Sequence, residues 1–227
     1  MRLYYLTGRN WAEKILREQR FKLSTIEELN DPFELLGAAV GEPKARRAYQ
    51  MLHRHWTKTI GMLCASRSWE SPVMWAHYGD KHRGVCLGFD VVDAEASQVS
   101  YRAERLSGLL EHIGRGEHLV EQQMRAILTT KFKDWEYERE LRMFAQLDQR
   151  EAQDGKYYLN FQPHITLREV ILGARCDADV RSIAETVTPS KARVEVFKAR
   201  PAFNSFRIVR QQQEPSMFVA PIVRGRD

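Results

Sequence analysis

The chain holds only three cysteines, Cys64, Cys86 and Cys176, with no Cys-x-x-Cys spacing among them. An odd number of scattered thiols argues against a disulfide framework and against a structural zinc site, and for a reducing compartment. Long apolar runs are missing as well. The opening Met1-Arg2-Leu3-Tyr4-Tyr5-Leu6-Thr7-Gly8 is too short in apolar residues for a signal peptide, and no window approaches a membrane span. The expectation is a cytoplasmic protein with no membrane partner. Three signatures of common enzyme classes are also absent: the Gly-x-x-x-x-Gly-Lys-[Ser/Thr] phosphate loop, the Gly-x-Ser-x-Gly elbow and the glycine-rich dinucleotide fingerprint. There is no internal repeat and no linker. Residues 1–210 therefore read as a single α+β domain, and residues 211–227, with two prolines and a final Arg-Gly-Arg, as a C-terminal tail that is draped or partly disordered.

What is present suits a globular protein. The 227 residues are 43% hydrophobic, enough to bury a real core. A net charge of +5 favours an anionic partner, a nucleotide or nucleic acid, without requiring one.

Residues 3–6 read as a short aromatic strand. Asn10 is placed to cap a helix through residue 20, and residues 21–24 read as a second strand, followed by a capping box from Ser24 to Glu27. Asn30-Asp31-Pro32-Phe33-Glu34 must leave the helical region ahead of its proline, which sets one amide and two carboxyl groups on a rigid turn. Residues 43–59 put Ala45, Ala48, Leu52 and Trp56 on one helical face and Arg47, Arg54 and Lys58 on another. Residues 61–68 read as a strand. Ser71-Pro72 opens a helical turn with Trp75, His77 and Tyr78, followed by a basic turn and a strand of alternating Val85, Leu87 and Phe89. Cys86 and Gly88 leave the other face of that strand thin, with room for a backbone or a flat ligand. Residues 104–130 read as helix, broken near Gly114 and Gly116.

Residues 131–144 admit two readings. At period two, Glu136, Glu138, Glu140 and Arg142 share one strand face; as a helix, Glu138 and Arg142 become an i, i+4 ion pair. After a polar loop at 148–156, strands are expected at 156–161, 170–173, 194–199 and 206–210, with Asp177 capping a helix through residue 187.

Five blocks in order, Asn30-Asp31-Pro32-Phe33-Glu34, Met74-Trp75-Ala76-His77-Tyr78, residues 84–90, Trp135-x-Tyr137-Glu138-x-Glu140-x-Arg142 and Ile171-Leu172-Gly173, resemble the prokaryotic family known as domain of unknown function 2971, over residues 4–206. That resemblance implies a bacterial toxin or phage-defence role, since members are often associated with abortive infection. Where the family tends to carry a basic residue between the aromatics of its first strand, this chain has Leu3-Tyr4-Tyr5-Leu6, so a cation there would come from Arg2, Arg9 or Lys22. The element order is also similar to the ADP-ribosyltransferase fold. Ala76-His77-Tyr78 and residues 84–90 resemble its central helix and strand, and Glu138-Arg139-Glu140 resembles its paired-glutamate segment.

These resemblances imply an ADP-ribosyltransferase-like split, mostly antiparallel sheet with flanking helices, and NAD as substrate. Breaking the nicotinamide–ribose bond creates an oxocarbenium-like centre that needs a carboxylate beside it, and a second carboxylate can orient or deprotonate an acceptor. Two residues of strand rise would hold Glu138 and Glu140 about 7 Å apart. The catalytic candidates are thus Glu138, Glu140 and His77. The substrate-binding candidates are Asn30, Asp31, Trp75, Tyr78, Arg83 and Arg142, and no metal is assigned. Plainer readings stand beside these: Glu138 and Glu140 paired with Lys133, Arg139 or Arg142 on a surface, Trp75 and Tyr78 as core aromatics, His77 as a core histidine, and Asn30-Asp31 as a self-bonded turn. Two other functions are open, a nucleic-acid or nucleotide-binding module using Arg47, Arg54, Lys58 and Arg83, or a metal-dependent nuclease assembled from Asp31, Glu34, Glu138 and Glu140. The sequence points to no particular antitoxin or protein target.

Overall fold

A computed structural model describes residues 1–110, 121–147, 155–190 and 192–221. In chain order the elements are β1 (Arg2–Thr7), α1 (Arg9–Glu18), β2 (Arg20–Lys22), α2 (Pro43–Thr59), β3 (Ile60–Ser66), α3 (Pro72–His77), β4 (Val85–Val91), β5 (Ser97–Gln98), β6 (Ser100–Arg102), α4 (Glu121–Leu128), β7 (Thr130–Phe132) and β8 (Glu140–Gln146). They continue with β9 (Tyr158–Asn160), β10 (Ile165–Leu172), α5 (Val180–Ala184), β11 (Val194–Pro201), β12 (Ile208–Arg210) and β13 (Met217–Val219). The fold is α+β, with mixed but mostly antiparallel strand pairing. The chain divides into two compact units, the first Met1–Phe21, Ala65–Glu95 and Leu159–Asp227, the second Lys22–Cys64 and Ala96–Tyr158.

In the first unit, β4 is the central strand. It runs antiparallel to β1, with Leu3 opposite Phe89 and Leu6 opposite Cys86, and antiparallel to β10, with Val170 opposite Leu87. β10 and β11 are parallel and joined through α5, whose N-cap is Asp179, its carboxylate accepting from the Ser182 amide at 2.8 Å. Where these strands are flanked on both sides their central residues are apolar, and Val85, Leu87, Phe89, Val170, Ile171 and Leu172 are all fully buried. Phe21 closes one end of this core, its ring packed against Tyr5, Phe89 and Phe161. β12 and β13 both pair with β11, so residues 217–219 join the strands rather than drape over them.

In the second unit, α2 lays Ala45, Ala48 and Trp56 into a core with Ile26, Leu35, Met62, Ile127 and Leu128. β8 neighbours β3 on one side and β5 on the other, and β6 pairs in parallel with β7.

Several local expectations shift. The first helix is capped by Gly8, not Asn10, and the capping box is Thr25 with Glu28, one residue beyond Ser24 and Glu27. The expected helix does not extend over residues 104–110. There the Leu106 amide donates to the Gly37 carbonyl and the Ala39 amide to the Leu106 carbonyl, so bridging replaces helical bonding. Gly114 and Gly116 lie outside the described residues. The thin face of β4 is filled: a Cβ on Gly88 would meet Glu169 Oε2 at 2.7 Å and Tyr4 Cε1 at 3.0 Å, so neighbouring side chains take the room expected for a ligand. Among the described residues, no helix is long and apolar enough to cross a membrane.

Candidate functional site

Residues 131–144 use neither sequence reading in full. β7 ends at Phe132, residues 133–138 form a 3-10 helix, Arg139 adopts a left-handed conformation with φ 46°, and β8 begins at Glu140. Glu138 and Glu140 therefore sit on different elements and do not share a strand face, whereas Glu140 and Arg142 do.

These turns converge five charged side chains inside the second unit. Lys131 Nζ donates to Glu138 Oε2 at 2.6 Å and Glu140 Oε2 at 3.2 Å, and lies 2.8 Å from Glu34 Oε1. Arg142 donates from Nε to Glu140 Oε1 at 2.8 Å, from Nη2 to Glu34 Oε2 at 2.7 Å, and from Nη1 to the Leu128 carbonyl at 2.8 Å. Glu34 thus bridges both cations. Exposure of these five side chains runs from 0 to 5%. Around them, the Glu140 amide donates to the Tyr101 hydroxyl at 2.7 Å, and the Trp135 ring covers Lys131 Nζ at 4.8 Å.

Burial alone would keep Glu140 protonated. The charge and hydrogen bonds of Arg142, aided by Lys131, outweigh it and hold the Glu140 pKa down at about 2. Burial likewise favours a neutral Lys131, yet Glu140, Glu34 and Glu138 together raise its pKa far above the ordinary range. Burial and the neighbouring carboxylates push the Cys64 thiol up. A lysine held as ammonium is no nucleophile, and a glutamate ionised at neutral pH is no general acid. The cluster acts instead as fixed charge. Fixed charge of this kind, shielded from water, can act strongly on a charged centre placed beside it.

Lys131 also lines a pocket of about 640 Å³, open mouth included, with Phe33, Arg102, Glu104, Arg105, Thr130 and Phe132 in its wall. Phe33 is 58% exposed and Phe132 47%, and the Arg105 guanidinium lies 5.4 Å from the centre of the Phe33 ring. Aromatic faces beside guanidinium groups suit a ring system carrying phosphate.

The other anticipated residues are distributed differently. Asn30 is exposed; Asp31 is buried and accepts from the Phe33 amide at 2.9 Å, the self-bonded turn of the plainer reading. Trp75, His77, Tyr78 and Arg83 belong to the first unit. Trp75 is fully buried, its Nε1 donates to the Trp69 carbonyl at 2.6 Å, and its ring stacks on His82. His77 and Arg83 are exposed, so His77 is not a core histidine. The basic turn places Asp80, Lys81 and His82 at positive φ, and Gly84 follows where a Cβ would meet the Thr7 carbonyl at 2.1 Å. The three glutamates of the nuclease reading do converge, but on an ammonium. Among the described residues, no group of three or more His, Cys, Asp or Glu side chains is arranged to hold a metal ion.

Sequence reasoning weighed Lys133 and Arg139 as partners and missed Lys131, as well as Arg102, Arg105 and Phe132. Only the alternation Thr130-Lys131-Phe132, a cation flanked by strand-forming residues, hinted at an inward lysine.

The architecture and the cluster define an α+β protein with a buried charged centre. The family model described as protein of unknown function (DUF2971) matches residues 74–143, under a third of the chain. The matched stretch carries Lys131, Glu138, Glu140 and Arg142; Glu34 lies outside it. Neither the curated proteins nor the solved structures give a match.

Proposed function

We propose that the second unit binds an NAD-type dinucleotide in the Lys131 pocket and cleaves or transfers its ADP-ribosyl group, in a bacterial toxin or phage-defence role. The observation that carries this reading is the double position of Lys131, which lines the pocket and is paired with three carboxylates. Arg102 and Arg105 supply charge for a pyrophosphate, and Phe33 and Phe132 supply faces for flat rings. The ionised Glu140 carboxylate favours the oxocarbenium-like centre formed as the nicotinamide leaves. The chain's own contribution is binding, orientation and electrostatic stabilisation; Glu138 and Glu140 act as fixed carboxylates. His77, Trp75, Tyr78 and Arg83 have no part in this reading, which uses the second unit alone.

The test measures nicotinamide release and NAD-induced thermal shift for the wild type, for Glu138→Gln, and for the exposed-wall variants Arg105→Ala and Phe132→Ala. Turnover that falls in all three supports the reading, because the wall variants leave the buried charges intact. The absence of both release and thermal shift in the wild type overturns it. A second reading, nucleotide binding without turnover, draws on the engagement of all three carboxylates with cations. A thermal shift with NAD but no product would favour it.

A further inference from the structure

The first unit carries a feature that the NAD reading does not use. Between β11 and β12 the chain forms a tight hairpin, closed by Ala202 donating its amide to the Arg207 carbonyl at 2.8 Å. At its tip, Phe203 is 85% exposed and Phe206 98%, the two most exposed large apolar side chains among the described residues. Exposing two rings on a rigid hairpin forgoes the burial that normally makes phenylalanine worthwhile. The base of the hairpin is anchored: Ile208 is buried and donates its amide to the Glu70 carbonyl at 2.8 Å, and Arg207 pairs with Glu70.

One of the rings carries a cation. The Arg200 guanidinium stacks 4.2 Å from the centre of Phe203. A guanidinium on one face of a ring leaves the opposite face open and adds charge to the same spot. Single-stranded nucleic acid is recognised by this combination, with bases stacked on aromatic rings and phosphates met by arginine. The apex residues between the two rings are Asn204 and Ser205, both exposed. A tip built to enter lipid would have to desolvate that amide and hydroxyl without partners, whereas base edges can hydrogen-bond to both.

We propose that the hairpin tip, Phe203 to Phe206 with Arg200, is a binding site for single-stranded nucleic acid, bases stacking on the two phenylalanine rings and Arg200 contacting phosphate. The site lies within the first unit and is independent of the NAD reading.

The experiment uses the full chain and fluorescence anisotropy with labelled oligo-uridine, oligo-deoxythymidine and a duplex of the same length, at two salt concentrations. Tighter binding of the single strands than of the duplex is expected, weakening as salt rises. The Phe203→Ala, Phe206→Ala double variant should bind about tenfold more weakly or worse, given what one stacked base contributes. Arg200→Ala should weaken binding and flatten its salt dependence. Both rings are exposed, so the double variant should melt where the wild type does, which separates loss of binding from loss of fold. Unchanged binding in the double variant, or none in the wild type at low salt, overturns the proposal. Two further outcomes would also overturn it, a preference for phosphatidylserine vesicles over oligonucleotide that the double variant abolishes, and a self-association of the chain that the same variant dissolves while nucleic-acid binding persists.

Discussion

Each unit contains an ion-pair network of basic and acidic side chains, and the two differ chiefly in water. In the first unit, Asp90 accepts from Arg2 and from Arg168, and Arg2 also reaches Glu169 at 3.2 Å, with side chains 23 to 40% exposed. In the second, Glu34, Lys131, Glu138, Glu140 and Arg142 are sealed from solvent. Exposed pairs exchange hydration for a similar interaction and gain little, whereas a buried charge stripped of its partner has nothing to replace it. The first network can lose a member cheaply. The second stands only when complete.

The largest effect should come from Arg142→Met, which leaves Glu34 and Glu140 buried with one cation between them. Urea denaturation should show a loss of about 3–5 kcal/mol. A loss below about 1 kcal/mol would place the two networks on the same footing and break the comparison.

Acid should separate them next. The folded-state pKa of Glu140, about 2, lies below its ordinary 4.5, so the unfolded chain binds the proton first and stability falls with pH. The contribution of Glu140 is fully present above about pH 4.5 and is lost progressively toward about pH 2. Melting temperature measured across that window should fall in the wild type and change less in Glu140→Gln. Equal slopes would mean that another carboxylate governs acid unfolding.

Gly88→Ala probes the packing beneath the exposed network. Its methyl would press on Glu169 and Tyr4, which should cost about 1–3 kcal/mol in thermal or urea unfolding. The smallest effect is expected of Arg168→Ala, about 0–1 kcal/mol by denaturation, shrinking further as salt screens the pair. A loss insensitive to salt would show that Arg168 acts through packing.

Much of the secondary structure was legible, because the signals for it are local. Pro43 at the helix start and the apolar spacing of Ala45, Ala48 and Trp56 define α2 at both ends, and Ser71-Pro72 does the same for the start of α3. Glu138, Glu140 and Arg142 stood out for their density of charge. What was not legible is the geometry that unites them. The left-handed conformation at Arg139, unusual for a residue with a side chain, changes the direction of the chain between the two glutamates. No periodic pattern announces it. The contributions of Glu34 and Lys131 depend on pairing between distant segments, which one sequence does not encode as a spacing. The thin face of β4 failed as a pocket for the same reason, since its filling comes from Glu169 on β10.

The interleaving of the two units along the chain also sets the order in which they can be completed during synthesis. All segments of the second unit have been synthesised by residue 158, while the first still lacks Leu159–Asp227, including β10, the neighbour of β4. The buried charged cluster can therefore close before the pairing of β4 with β10 exists. Until β10 arrives, the edge of β4 that carries Leu87 and Phe89 remains unpaired, and nascent chains are most open to strand-edge aggregation in that interval.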